Sequence, residues 1–164
     1  MAIDDRANGE NASDFRWVSR HWWSARYELR CGAQVAALVH INGSTGTAEL
    51  EHRHCKLQRF HLPPYVTIRD SETDDLIARL SLIPKRGFLA EFEDGQSFRL
   101  GWTSWWRREW SWTNDEGGTV LLSRHVVRGA GIKVRLGPDP GAERKWVFLA
   151  VLELAMAKLA SPWG

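Results

Sequence analysis

Trp146 to Ala160 reads WVFLAVLELAMAKLA, a segment apolar nearly all the way round once wound into a helix. A helix with no polar face must be enclosed, by lipid or by protein. Crossing a bilayer takes about 20 apolar residues; this stretch is shorter and is interrupted by Glu153 and Lys158. The inside of a protein is therefore its expected home. At 100° per residue Glu153 falls beside Trp146, Ala150, Ala157 and Ala160, while Phe148, Val151, Leu152 and Leu159 take the opposite side. The alanine side is read as the one nearest a wall or opening. Glu153 is expected to be buried with a partner or to lie at an open end, because an unpartnered buried carboxylate is disfavoured.

Upstream, the pattern changes to period two, broken by turn signals every six to ten residues. ARYELRC sets Tyr27, Leu29 and Cys31 on one face, and QVAALVHI follows Gly32-Ala33. TAELEH, KLQRFHL, YVTIRD and LIARLSLI continue the pattern, the last with Leu76, Ala78, Leu80 and Leu82 together. GFLAEFE and QSFRLGW are joined by Asp94-Gly95, a strong hairpin signal. Their inward faces are Phe88, Ala90 and Phe92, then Phe98, Leu100 and Trp102. REWSWT, TVLLSRHVV and IKVRL complete about eleven strands. Phe15 to Trp23 is either a further short strand or a packed loop, and residues 1–14 read as a disordered tail.

Short connections make an antiparallel meander the natural topology. So many strands in one open sheet would expose edges, and closure removes them. A closed barrel of that size is too wide for strand side chains alone to fill. The expected fold is therefore an all-β closed antiparallel barrel of about 11–12 strands around a buried C-terminal helix, a single domain over residues 15–164.

The strand run from YELRCGAQVAALVHI to GIKVRL, followed by WVFLAVLELAMAKL, resembles the tubby-like superfamily: the tubby C-terminal domain, the phospholipid scramblases and the LURP-one-related proteins. The resemblance spans about residues 22–160 and lies in the order and character of elements. It implies a closed barrel of roughly twelve strands around one central hydrophobic helix, and it brings no catalytic motif. The proline-rich N-terminal stretch typical of scramblases is absent.

Composition narrows the function classes. The 164 residues carry 22 Lys and Arg against 20 Asp and Glu, a net charge of +2 that by itself argues for no nucleic-acid partner. Cys31 and Cys55 make no disulfide framework, and the N-terminus has no signal-peptide pattern, so a cytoplasmic protein, at most peripheral at a membrane, is expected. Ten tryptophans are unusual in a chain this short; each buries on the order of 200 Å². The pairs Trp22-Trp23 and Trp105-Trp106 are expected to divide between packing and surface roles.

Chemical motifs are few. In HRHC, His52 and His54 would share one strand face and could hold an ion, but no second ligand pair accompanies them, so surface histidines are the reading and no metal or cofactor is expected. GSTG (Gly43 to Gly46) lacks the lysine of a phosphate loop, and no nucleophile elbow or Cys–His signature occurs. The sharpest candidate is WTSWWRREWSW, Trp102 to Trp112. Arg107 and Arg108 follow Trp105 and Trp106 in an expected loop, where arginine forks suit phosphate and indoles suit a headgroup interface. Arg99, Lys133 and Arg135, on outward faces, extend the basic patch. The expected function is a non-enzymatic binding module for an anionic phospholipid headgroup or another phosphate-bearing ligand. An enzyme with a rim or loop active site and a small-molecule carrier are the alternatives.

Overall fold

A computed structural model describes residues 14–19, 25–50, 52–104, 108–125, 132–137 and 145–159. The strands are β1 (Asp14–Ser19), β2 (Arg26–Cys31), β3 (Gln34–Asn42), β4 (Thr45–Leu50), β5 (Arg53–His61), β6 (Pro64–Asp70), β7 (Leu76–Ile83), β8 (Gly87–Phe92), β9 (Ser97–Ser104), β10 (Glu109–Asn114), β11 (Thr119–His125) and β12 (Ile132–Leu136). The helix α1 spans Lys145–Leu159. Every strand pairs antiparallel with its sequence neighbours, and β1 closes on β12. The barrel thus has twelve strands, one more than the eleven periodic segments suggest. The extra one is β1, which completes closure by pairing Phe15 with Val134 and Arg16 with Lys133. This is the architecture that the tubby-like resemblance implies. The tail read over residues 1–14 lies outside the described residues except for Asp14, which opens β1.

Alternation puts one face of each strand inside. Leu29, Val39, Leu50, Leu57, Ile68, Leu80, Leu100 and Val134 are fully buried there, against Val147, Leu149, Val151, Leu152 and Leu154 of α1. The helix has no amphipathic face because it is enclosed by mostly apolar side chains, with Glu153 the buried exception. Its closest approaches are to β3 and β6, where small inward residues such as Ala37 on β3 leave room. Glu153, on the alanine side, reaches the other way, toward β10 and β11. The fully buried indole of Trp112 packs on that side and bonds the carboxylate.

Two strand ends depart from the expected inward faces. Leu82 and Trp102 keep the parity of Leu80 and Leu100, yet they are 46% and 55% exposed. They lie one pleat beyond the buried Leu80 and Leu100, toward the ends of β7 and β9. Trp102 instead stacks on Trp110, ring centroids 3.7 Å apart, beside a register shift between Glu109 and Trp110. Cys31 is also only half-buried, since β2 shifts register between Leu29 and Arg30.

The Asp94-Gly95 hairpin forms as expected, with Gly95 at φ 89° and the Asp94 carboxylate accepting from the Gln96 N–H at 3.0 Å. It also anchors the helix. The buried Lys145 ammonium, at the first residue of α1, donates to Asp94 and to Gln96 Oε1 and lies 5.2 Å from the Phe92 ring. That ammonium and the Gln96 amide hold the Asp94 carboxyl below the usual carboxylate range. A carboxyl depressed on folding stabilises above its unfolded pKa, near 4, and loses that contribution as pH falls through the folded value. Asp94→Asn should therefore lower the urea midpoint at pH 7, and its deficit should shrink by pH 3. A deficit of equal size at both pH values would contradict the anchor.

Candidate functional site

Three places in the fold gather side chains capable of chemistry. The first is inside. Glu153 is 3% exposed; Trp112 Nε1 donates to its Oε2 at 3.0 Å and Ser123 Oγ donates to its Oε1. Glu153 is thus buried with partners, the first of the two expected outcomes. His125 Nε2 lies 3.6 Å from Oε1 and is buried with no hydrogen-bond partner. These residues come from the inward faces of β10 and β11, facing the middle of α1. Ser123 donates to the Glu153 carboxylate, which also accepts from the Trp112 indole, so the carboxylate ties both strands to the helix. The cluster joins helix to wall. The barrel interior that a small-molecule carrier would use for its ligand is occupied by α1 itself.

The second place is HRHC. His52 lies in the turn before β5, at φ 73°, so it does not share a strand face with His54. His54 is exposed and contacts Glu49 through Nδ1 at 3.6 Å. Burial pushes the Cys55 thiol up to about 11, which leaves it protonated and poorly nucleophilic. Among the described residues no group of three or more His, Cys, Asp or Glu side chains is arranged to hold a metal ion.

The third place is the basic surface. Residues 105–107, with Trp105, Trp106 and Arg107, lie outside the described residues, as does Trp22-Trp23. Arg108 is exposed at φ 50°, immediately before β10. Arg99 projects from the middle of β9, opposite Leu89 and Thr113. Lys133 and Arg135 are on β12, with β10 and β11 intervening, so Arg99 does not join them. Arg135 Nε donates to Asp14 Oδ1 at 3.0 Å, and that carboxylate raises its already high pKa.

What closure of the barrel does bring together is a row of cations across four strands. Arg30 on β2 pairs in register with Arg16 on β1, Arg16 with Lys133 on β12, and Lys133 with Arg124 on β11. All four alternate with buried neighbours and face outward. A cleft of about 230 Å³ opens along the row, lined by Arg16, Arg30, Lys133, Asp14, Val18 and Gly32 among others. Arg30 Nε also donates to Glu28 at 2.5 Å. Of this row the sequence singles out Lys133 alone. Arg16, Arg30 and Arg124 are scattered along the chain, and only the register places them side by side.

Comparison with protein-family models, with curated proteins and with solved structures returns no match. Among the described residues no helix is long and apolar enough to cross a membrane.

Proposed function

We propose that the protein is a non-enzymatic binding module for a phosphate-bearing ligand, an anionic phospholipid headgroup among the candidates, held against the wall formed by β11, β12, β1 and β2. The observation that carries this reading is the cross-strand row Arg30, Arg16, Lys133 and Arg124 beside its cleft. Like charges placed directly opposite on neighbouring strands destabilise a sheet. A dianion seated among them turns that repulsion into attraction, and arginine forks match phosphate oxygens in pairs. Glu28 pairs with Arg30 at one end of the row, and Asp14, which lines the cleft, pairs with Arg135 outside it. The tubby-like resemblance, with its phospholipid scramblases, points to the same ligand class. Arg108, which immediately precedes β10, is a separate candidate contact, and Trp105, Trp106 and Arg107 remain candidates from the sequence alone.

Calorimetric titration tests the reading with two soluble probes, inorganic pyrophosphate and glycerophosphoserine. The wild type should bind at least one of them, and Arg16→Gln with Lys133→Gln should weaken that binding about tenfold or more. Equal binding by variant and wild type, or no heat with either probe, would dismiss the cleft. A response to glycerophosphoserine favours a lipid headgroup, and a response to pyrophosphate alone favours a free phosphate.

A further inference from the structure

In a closed meander, successive connections alternate between the two ends of the barrel. Lys145 meets Asp94 where α1 enters, and Lys158, near its other end, lies 5.3 Å from the Tyr27 ring. Among the described residues, the connections at the entry end after β2, β4, β6, β8 and β10 carry Glu72, Asp74, Asp75, Glu93, Asp94, Asp115 and Glu116 and no lysine or arginine, and Lys145, which opens α1 there, is paired with Asp94. The described residues of the connections at the far end, after β1, β3, β5, β7 and β9, contain no aspartate or glutamate. They carry Lys85, Arg86 and Arg108. A net charge of +2 conceals this separation.

Apolar exposure has the same polarity. Of the large hydrophobic side chains exposed among the described residues, Leu62, Leu82 and Trp102 lie at the far end and only Val35 at the entry end. Leu62, at the tip of the turn between β5 and β6, is 95% exposed. The three occupy neighbouring stretches of one rim, from β5 to β9, with Lys85 and Arg86 between Leu82 and Trp102 in the chain.

We propose that this rim is a docking surface for an anionic lipid bilayer, which the barrel meets end-on, with Leu62, Leu82 and Trp102 entering the interface and Lys85, Arg86 and Arg108 facing the headgroups. The surface is distinct from the wall cleft and does not depend on it. Charge complementarity sets the orientation: the acidic end is repelled by the surface that attracts the basic end. Aliphatic tips distinguish a bilayer from a nucleic acid, since leucine offers hydrocarbon burial but no stacking face for bases. The wall does not enter the bilayer, because Lys56, Arg99 and Lys133 are exposed on it in mid-strand. The mode is peripheral, with an apolar insertion and a basic ring each contributing.

Co-sedimentation with vesicles of phosphatidylcholine alone, or with 30% phosphatidylserine (about that fraction gives a strongly negative surface), tests it using the whole chain. Wild type should bind the anionic vesicles at least about tenfold better, less so as salt rises. Leu62→Ser with Leu82→Ser should reduce binding about tenfold while leaving its salt dependence. Lys85→Gln with Arg86→Gln and Arg108→Gln should reduce it as much and flatten that dependence. Arg16→Gln with Lys133→Gln should still bind vesicles. Equal binding to both vesicle types, or full binding by both rim variants, overturns the proposal. So does complete competition by a single-stranded oligonucleotide, which would make the rim a nucleic-acid surface. Loss in the cleft variant alone overturns the rim proposal and leaves the cleft reading standing.

Discussion

Trp112→Ala is expected to remove most of the stability of the barrel. The indole is fully buried between β10 and α1, and its Nε1 is a hydrogen-bond donor to a carboxylate that solvent barely reaches. Truncating a buried tryptophan costs about 3–5 kcal/mol, and stripping a donor from a buried carboxylate adds roughly 1–3 kcal/mol. Against a typical domain stability of about 5–15 kcal/mol, the variant should be largely unfolded or populate a loose state. The two costs separate in a double-mutant cycle. Glu153→Leu removes the carboxylate but leaves the indole N–H and the Ser123 hydroxyl without their acceptor. The double variant should therefore be more stable than the sum of the single losses predicts, by about 1–3 kcal/mol. Strict additivity in urea unfolding would show that the contact between helix and wall contributes only packing.

The second large effect contrasts two leucines. Leu152→Ala empties part of the fully buried seam between α1 and the strands and should cost about 2–5 kcal/mol. Leu62→Ala makes the same chemical change at a site 95% exposed, and should shift stability by less than about 0.5 kcal/mol. Thermal or urea unfolding of the two, side by side, checks the prediction. A comparable loss in Leu62→Ala would mean that this side chain is structural and not available to a partner. Retained stability together with weakened vesicle binding would separate what the interior does from what the rim does.

The interior was largely legible in the sequence. WVFLAVLELAMAKLA announces enclosure because no orientation leaves its apolar surface in water, and alternation in strands such as LIARLSLI identifies a buried face. The hairpin at Asp94-Gly95 follows from local backbone preference. Such features depend on residues within one or two turns of each other. The rim and the cleft were legible only in pieces. The turns SETDD, EDGQ and NDEGG are visibly acidic and PKRG visibly basic, but that the two kinds occupy opposite ends follows only from the count and alternation of strands. Trp102 and Leu82 fit the inward pattern and yet lie outside, because parity specifies a face and says nothing of how far along the axis the core extends.

The sequence by itself determined that a β-rich chain must wrap an apolar helix, which side of that helix carries Glu153, and which segments are turns. Only the tertiary structure decided what Glu153 meets, that β1 closes on β12, and that Arg16, Arg30, Arg124 and Lys133 share one row. The physical reason is locality. Burial preference and turn chemistry are properties of short segments, whereas pairing register and closure are set by hydrogen bonds between strands as far apart in sequence as Phe15 and Val134.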